Sequence, residues 1–237
     1  MFRNFLLSSV LLGFVAVATA APITFTGPEY SVTAIVGVDD IVDSASDSSP
    51  PSTIPLNVAK SVLTEGDSAF ASASAALGKL SAVTNVSSTG GIADASSNSR
   101  FSGTIDSLLG GSYQLAFNFI TGDLIVGQDS FASSTLAIII NSNLNDLYNQ
   151  IFTTSSSLTG FTFSLAPGTK ALFDITLISS ANSNSGSALN NASVDFSINA
   201  AVNGVPEPHE GILLLLGGLA MCSFIWRGRR RKDSLLA

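Results

Sequence analysis

The sequence predicts an all-β body, an antiparallel β-sandwich of jelly-roll type with one short helix, set between an N-terminal signal peptide and a C-terminal transmembrane helix. Three observations predict it. Apolar residues alternate with polar ones at period two in many short runs. Polar, Gly- and Pro-containing stretches break those runs at close intervals. The helical 3.6-residue rhythm occurs convincingly in one short segment.

The runs can be taken in order. Tyr30, Val32, Ala34 and Val36 share one face of an early strand. Tyr113, Leu115, Phe117 and Phe119 share a face of another, and Phe161, Phe163 and Leu165 do the same before a Pro167-Gly168 turn. Phe173, Ile175 and Leu177 alternate after that turn, and Val194, Phe196 and Ile198 form the last run. The stretch from Ser130 ends in the continuous apolar segment Leu136 to Ile140, which suits a strand buried on both faces. Leu144, Leu147, Tyr148, Ile151 and Phe152 fit the i, i+3, i+4, i+7, i+8 spacing of a helix, with Asn141 or Asn143 as its cap. Ser68 to Leu77 reads equally as an Ala-rich helix or a small-residue strand. Asp47 to Pro51, Ser87 to Asn98 and Ala181 to Asn191 read as loops. Short antiparallel strands with polar turns point to a sandwich.

Composition separates the ends from the middle. The chain has 237 residues, a formal net charge of -7 and a mean hydropathy of +0.43. The hydropathy is concentrated at the two ends, while the middle is rich in Ser, Asn, Thr, Ala and Gly. Between the ends the basic residues are Lys60, Lys79, Arg100 and Lys170, and acidic residues outnumber them. An acidic body repels phosphate backbones, which argues against a nucleic-acid partner. The one Cys, Cys222, lies in the C-terminal apolar run, so the body holds no disulfide and no thiolate chemistry.

Residues 1–20 read as a secretory signal peptide. Arg3 supplies the positive start, Phe5 to Val17 the apolar stretch, and Ala18-Thr19-Ala20 the small-residue cleavage site, with Ala18 and Ala20 its defining positions. Residues 21–204 form the exported β domain. Residues 205–232 are a three-part tail, followed by a short extension, 233–237. The tail begins with Val205-Pro206-Glu207-Pro208. It continues with an uncharged apolar run, Gly211 to Trp226, and ends in the basic cluster Arg227, Arg229, Arg230, Arg231 and Lys232. As a helix the run spans roughly 24 Å, slightly short of a hydrocarbon core of about 30 Å. Snorkelling Arg side chains and Trp226 at the interface cover the difference. The basic cluster stays cytoplasmic by the positive-inside rule, which places the body outside the inner membrane. Pro206 and Pro208 hold an extended backbone just above the membrane, as a peptide-cutting active site requires.

This order of parts resembles the PEP-CTERM sorting signal of Gram-negative bacteria, over residues 205–232. The resemblance implies export through the Sec translocon, then recognition and cutting of the tail by an exosortase in the inner membrane. Pro206, Glu207 and Pro208 would be the recognition triplet, Gly211 to Trp226 a transient anchor, and the basic cluster the cytoplasmic stop signal. His209-Glu210 and the extension beyond Lys232 depart from the commonest pattern. A plain single-pass anchor that is never cut is the alternative reading of the same tail.

Catalytic residue types are sparse in the body. The one His, His209, lies in the tail, so no Ser-His-Asp or Cys-His arrangement and no His-based zinc site forms in the body. The expectation is a non-enzymatic protein of the cell surface, biofilm or exopolysaccharide matrix. Asp39, Asp40, Asp43 and Asp47 form a weak Ca2+ candidate, since clustered carboxylates supply hard oxygen donors. Their spacing is not that of an EF-hand, and a solvated acidic loop is the plainer reading. Carbohydrate binding is the leading alternative function, with extracellular polysaccharide as partner; the body has no Trp, Tyr113 and Tyr148 fit core patterns, and retention on a polysaccharide column that is lost on changing Tyr30 or Tyr148 would favour it. Glu29, Glu65 and the scattered Asp residues include no obvious glycosidase pair.

Overall fold

A computed structural model describes residues 25–49, 55–108, 110–143 and 145–201. They fall within one compact unit, Ala20–Ala201; the other unit, Met1–Thr19 with Val202–Ala237, lies outside them, and with it the signal peptide, the sorting triplet, the apolar run and the basic cluster.

Twelve strands make up the body: β1 Thr26–Val38, β2 Ile41–Ser49, β3 Leu56–Leu63, β4 Ser68–Ala76, β5 Lys79–Ser88, β6 Ala93–Ser107, β7 Gly111–Val126, β8 Ser130–Ser142, β9 Asp146–Phe152, β10 Ser156–Leu165, β11 Thr169–Ser183 and β12 Gly186–Ala201. They form two six-stranded antiparallel sheets, in the orders β2-β1-β6-β11-β8-β9 and β10-β7-β12-β5-β4-β3. The sheets pack face to face, and one apolar cluster draws on both. The chain changes sheet between β2 and β3, β5 and β6, β6 and β7, β7 and β8, β9 and β10, β10 and β11, and β11 and β12. Each apolar run read from period two lies in a strand with its apolar residues inward: Tyr30, Leu115, Phe119, Phe163, Phe173 and Val194 are all buried.

The expected helix at Leu144 to Phe152 is instead β9, and the described residues contain no helix. Backbone pairing with β8 sets Tyr148 opposite Ile140 and Phe152 opposite Leu136. Their rings then meet Phe161 and Phe117, at centroid distances of 4.6 and 5.0 Å. Burial of two aromatic rings at the rim of the core outweighs the weak helical preference of a short segment. Leu144 lies outside the described residues.

Other expectations also need correction. β8 is buried on one face: Leu136, Ile138 and Ile140 are fully buried, whereas Ala137 and Ile139 lie half-covered on the outer face. Of the expected loops, Ser87 to Asn98 narrows to the turn between β5 and β6, and Ala181 to Asn191 to the tight turn between β11 and β12. Asp47 to Ser49 belong to β2. Ser and Asn in these stretches occupy inward strand positions, so polarity concealed the alternation. The ambiguous Ser68 to Leu77 segment is a strand, β4, with Ala69, Ala71, Ala73 and Ala75 inward.

The inward positions are layered along the strands. A large cluster of Phe, Leu and Ile side chains fills one part of the sandwich. A second cluster, made of Ala and Val, fills the other, with Ala34, Val36, Ala71, Val86, Ala95, Ala181 and Ala188 among its members. Between them runs a buried polar belt. Thr84 and Ser179 share a hydrogen bond of 2.9 Å across the two sheets, and the Ser179 hydroxyl donates to Asn190 Oδ1 at 3.0 Å. Asn190 Nδ2 donates to Asp123 at 2.6 Å and to Ser134 at 3.4 Å. Ser134 also bonds Thr121, and Ser99 donates to the Ser81 carbonyl at 2.6 Å. Every bond in the belt lets a polar group stay buried without losing its partner.

Candidate functional site

Four strands, β1, β6, β11 and β8, present the outer face of the first sheet, and their register sets its chemistry row by row. One row reads Gly37, Asp94, Asn182, Phe131; the next reads Ile35, Ser96, Ser180, Ser133. Gly37, Ser96 and Ser180 are small, so they leave a shallow groove of about 340 Å³. Phe131 stands at one side of it, 57% exposed, and Val42 and Ile35 at the other. Asn182 donates to the Asp94 carboxylate within the groove. The groove therefore combines an exposed aromatic ring, a carboxylate acceptor and an amide. That set suits a neutral, hydroxyl-rich ligand: C–H faces pack on the ring and hydroxyls exchange hydrogen bonds with the planar polar groups.

A second depression of about 320 Å³ lies further along the same face, lined by Glu29, Ser31, Ser48, Arg100 and Ser102. The Arg100 guanidinium is already engaged there. It donates to both oxygens of Asp174, at 2.9 and 2.5 Å, and this pairing holds its proton more tightly than usual. Asp174 also accepts from the Thr176 hydroxyl at 3.1 Å.

The same holds for every described cation. Lys60 pairs with Asp43 at 3.0 Å, Lys79 with Asp195 at 3.7 Å and Lys170 with Asp106 at 3.0 Å. Lys79–Asp195 and Lys170–Asp106 face each other directly across neighbouring strands. Lys60 and Asp43 instead bridge the two sheets at the β2–β3 side, and the lysine holds that carboxyl below its ordinary range. These pairs are solvent-exposed and screened, so they add little to stability. No cation among the described residues is left over for a phosphate or another polyanion.

The acidic cluster disperses. Asp39 and Asp40 sit in the β1–β2 turn, with Asp39 in the left-handed region at φ 50°. Asp43 faces Lys60, and Asp47 lies on β2 opposite Val32. The pleat and the turn aim the four carboxylates at different surroundings, and no group of three or more metal-ligating side chains occurs among the described residues. What the fold does bring together is Asp39 with Asp67, beside Gly91, where any Cβ would collide with both carboxylates. Asp39 accepts from the Ile92 N–H at 3.0 Å. Asp67 accepts from the Thr89 N–H at 2.7 Å and the Thr89 hydroxyl at 3.2 Å, and these donors hold its carboxyl below the usual range. The two carboxylates latch the β1–β2 and β3–β4 turns to the β5–β6 turn.

The tyrosines are not platforms. Tyr30 is 2% exposed and packs on Phe101 at 5.0 Å, and burial pushes its hydroxyl pKa up. Tyr113 is buried and donates to Ser107 at 3.0 Å. Tyr148 is half-buried against Phe161. The most exposed ring among the described residues is Phe131, which the sequence reading passed over. Period two would have found it: Ala132, Ser134, Leu136, Ile138 and Ile140 point inward, so Phe131 must point out. Asp94 and Asn182 meet only because β6 and β11, far apart in sequence, are neighbours in the sheet.

No protein-family model matches the chain, and no curated protein matches it. Among solved structures, one described as "CBM4 structure and function" is similar at 13% identity, over 54% of this chain and 74% of that chain, with a TM-score of 0.24. Similarity that low carries no argument about this chain. What its own coordinates define is a β-sandwich with a shallow, polar and aromatic groove on one outer face.

Proposed function

We propose that this chain is an exported structural protein of the cell surface or extracellular matrix of a Gram-negative bacterium, without enzymatic activity. In this reading a signal peptide carries it through the inner membrane and an exosortase then sorts and cuts it. The observation that carries the proposal is the order of parts in the tail: Pro206-Glu207-Pro208, an uncharged run to Trp226, then Arg227 to Lys232. We read the repeated change of sheet along the chain as jelly-roll-like winding. Intact-mass measurement of the exported protein tests the sorting step. A mature species lacking residues 211–237, produced only when the sorting enzyme is present, supports it. A species that keeps those residues makes the chain a plain anchored protein instead.

The groove favours a second, compatible reading, in which the body binds neutral extracellular polysaccharide. Phe131, Asp94 and Asn182 would carry it. Affinity electrophoresis in gels containing neutral glucans, mannans or galactans is the test. Retardation in at least one gel, lost with Phe131→Ala and with Asp94→Ala, is the expected result. Retardation that survives both changes, or none in any gel, rejects the groove as a glycan site.

A further inference from the structure

One side of the sandwich is closed along most of its length and the other along only about half. On the closed side β2 covers β1 from Tyr30 to Val38, and β3 covers β4 from Ser68 to Ala75. On the other side β10 covers β7 only up to Phe119, and β9 covers β8 only from Leu136 onward. The β9–β10 connection crosses between the sheets at that level. Below it, β7 from Ile120 to Val126 is a bare edge among the described residues.

The boundary of this edge is marked chemically. Ser155 Oγ accepts from the Thr121 N–H at 3.0 Å and donates to the Thr121 carbonyl at 3.2 Å. Both backbone groups of Thr121 therefore point away from β12. Backbone groups alternate sides along a strand, so those of Asp123 and Ile125 point to the same open side. Ile120, Leu124, Ile125 and Val126 are 53, 60, 46 and 56% exposed. Edges are usually blunted by Lys, Pro or a bulge. β10 has a bulge at Thr159–Phe161, and the β2–β3 side carries Lys60, but Gly122 to Val126 has no Lys, Pro or bulge, and its one charge, Asp123, is tied to Asn190.

We propose that this half-edge is a self-association site, at which β7 pairs antiparallel with β7 of a second copy about a two-fold axis through Leu124. The register follows from the strand. Centred on Leu124, Asp123 faces Ile125 of the mate and Ile125 faces Asp123, so both residues exchange their outward N–H and C=O groups, making four hydrogen bonds. Leu124 meets Leu124 and Gly122 meets Val126, joining the exposed apolar side chains of both copies. Centring on Asp123 would oppose two carboxylates, and centring on Ile125 would run into the turn beyond Val126. Asp123 is already engaged by Asn190, at the outer end of the buried polar belt.

In the cut form proposed above, the short segments left at the two ends of the body do not reach along the whole of this edge. Ala201 pairs with Ser112, which is fourteen residues down β7 from Val126, a distance of about 46 Å. Residues 202–210 span at most about 32 Å. Thr26 pairs with Thr104 at the far end of the sandwich, and Ser49 ends β2 on the opposite side. The inference deepens the structural reading above, because edge pairing extends a sheet from one molecule into the next.

The test is the oligomeric state of the exported protein by native mass spectrometry and sedimentation, over a range of concentrations. A concentration-dependent dimer is expected. Leu124→Lys and Leu124→Glu each place like charges across the axis and should weaken it at least about tenfold. Mixing the two variants should restore a heterodimer, which a merely misfolded variant would not do. Leu77→Lys, in the exposed β4–β5 turn, should leave the dimer intact. Amide exchange at Asp123 and Ile125 should slow on association. A wild-type protein that stays monomeric at all concentrations overturns the proposal, as does a dimer indifferent to both Leu124 substitutions. Neither outcome bears on tail processing, which intact mass reads separately.

Discussion

At the scale of single residues, the sharpest consequence concerns Asp67. Its carboxylate is 6% exposed as a residue and accepts from the Thr89 N–H and hydroxyl. These donors favour the charged form, so its folded pKa lies below its ordinary value of 3.8. The stability it contributes is therefore present above that unfolded value and lost as pH falls through the folded one. Urea midpoints measured from neutral pH downward should fall more steeply below about pH 4 in the wild type than in Asp67→Asn. An equal fall in both would show that Asp67 is not a pH-sensitive latch. Asp67 was invisible as a partner of Asp39 in the sequence, since their meeting depends on three separate turns converging at Gly91.

At the scale of elements, the two parts of the core should answer differently to substitution. Ala181 sits in the Ala and Val layer, 3% exposed, where small facing side chains leave no slack. Ala181→Leu should destabilise by about 1–3 kcal/mol through overpacking. Ile138 sits in the large apolar cluster, and Ile138→Ala should destabilise by about 2–5 kcal/mol through the cavity it leaves. Denaturant midpoints of the two variants check both figures, and a neutral Ala181→Leu would mean the sheets can part there. Strand existence was legible wherever Phe, Leu, Ile or Val marked the inward positions, as in β7, β11 and β12. It was not legible where Ser, Ala and Asn mark them, as at Ser97, Ser183 and Asn190, because a hydroxyl or amide turned inward looks the same in sequence as one in a loop. In β9 the helical spacing of Leu147, Tyr148, Ile151 and Phe152 was real, but β8's open edge and the rings of Phe117 and Phe161 decided its conformation.

At the scale of the whole molecule, the pairings at the centre of each sheet are distant in sequence: β1 joins β6, β6 joins β11, and β7 joins β12. Chain closure must be paid for before such pairings form, so refolding should take on the order of milliseconds to seconds. Stopped-flow fluorescence of the tyrosines would show it; a microsecond phase carrying the whole amplitude would contradict it. By itself, the sequence determined the all-β class, the inward faces of the strongly apolar strands, the lack of His and Cys chemistry in the body, and the three-part tail on which the sorting proposal rests. Each follows from residue type or local period. The tertiary structure alone decided which strands are neighbours. From that came the Asp94–Asn182–Phe131 groove, the dispersal of the four aspartates, the polar belt and the bare edge of β7. The reason is physical: a period of two says which side of a strand faces in, but which strand lies beside it depends on long-range pairing, which no local pattern records.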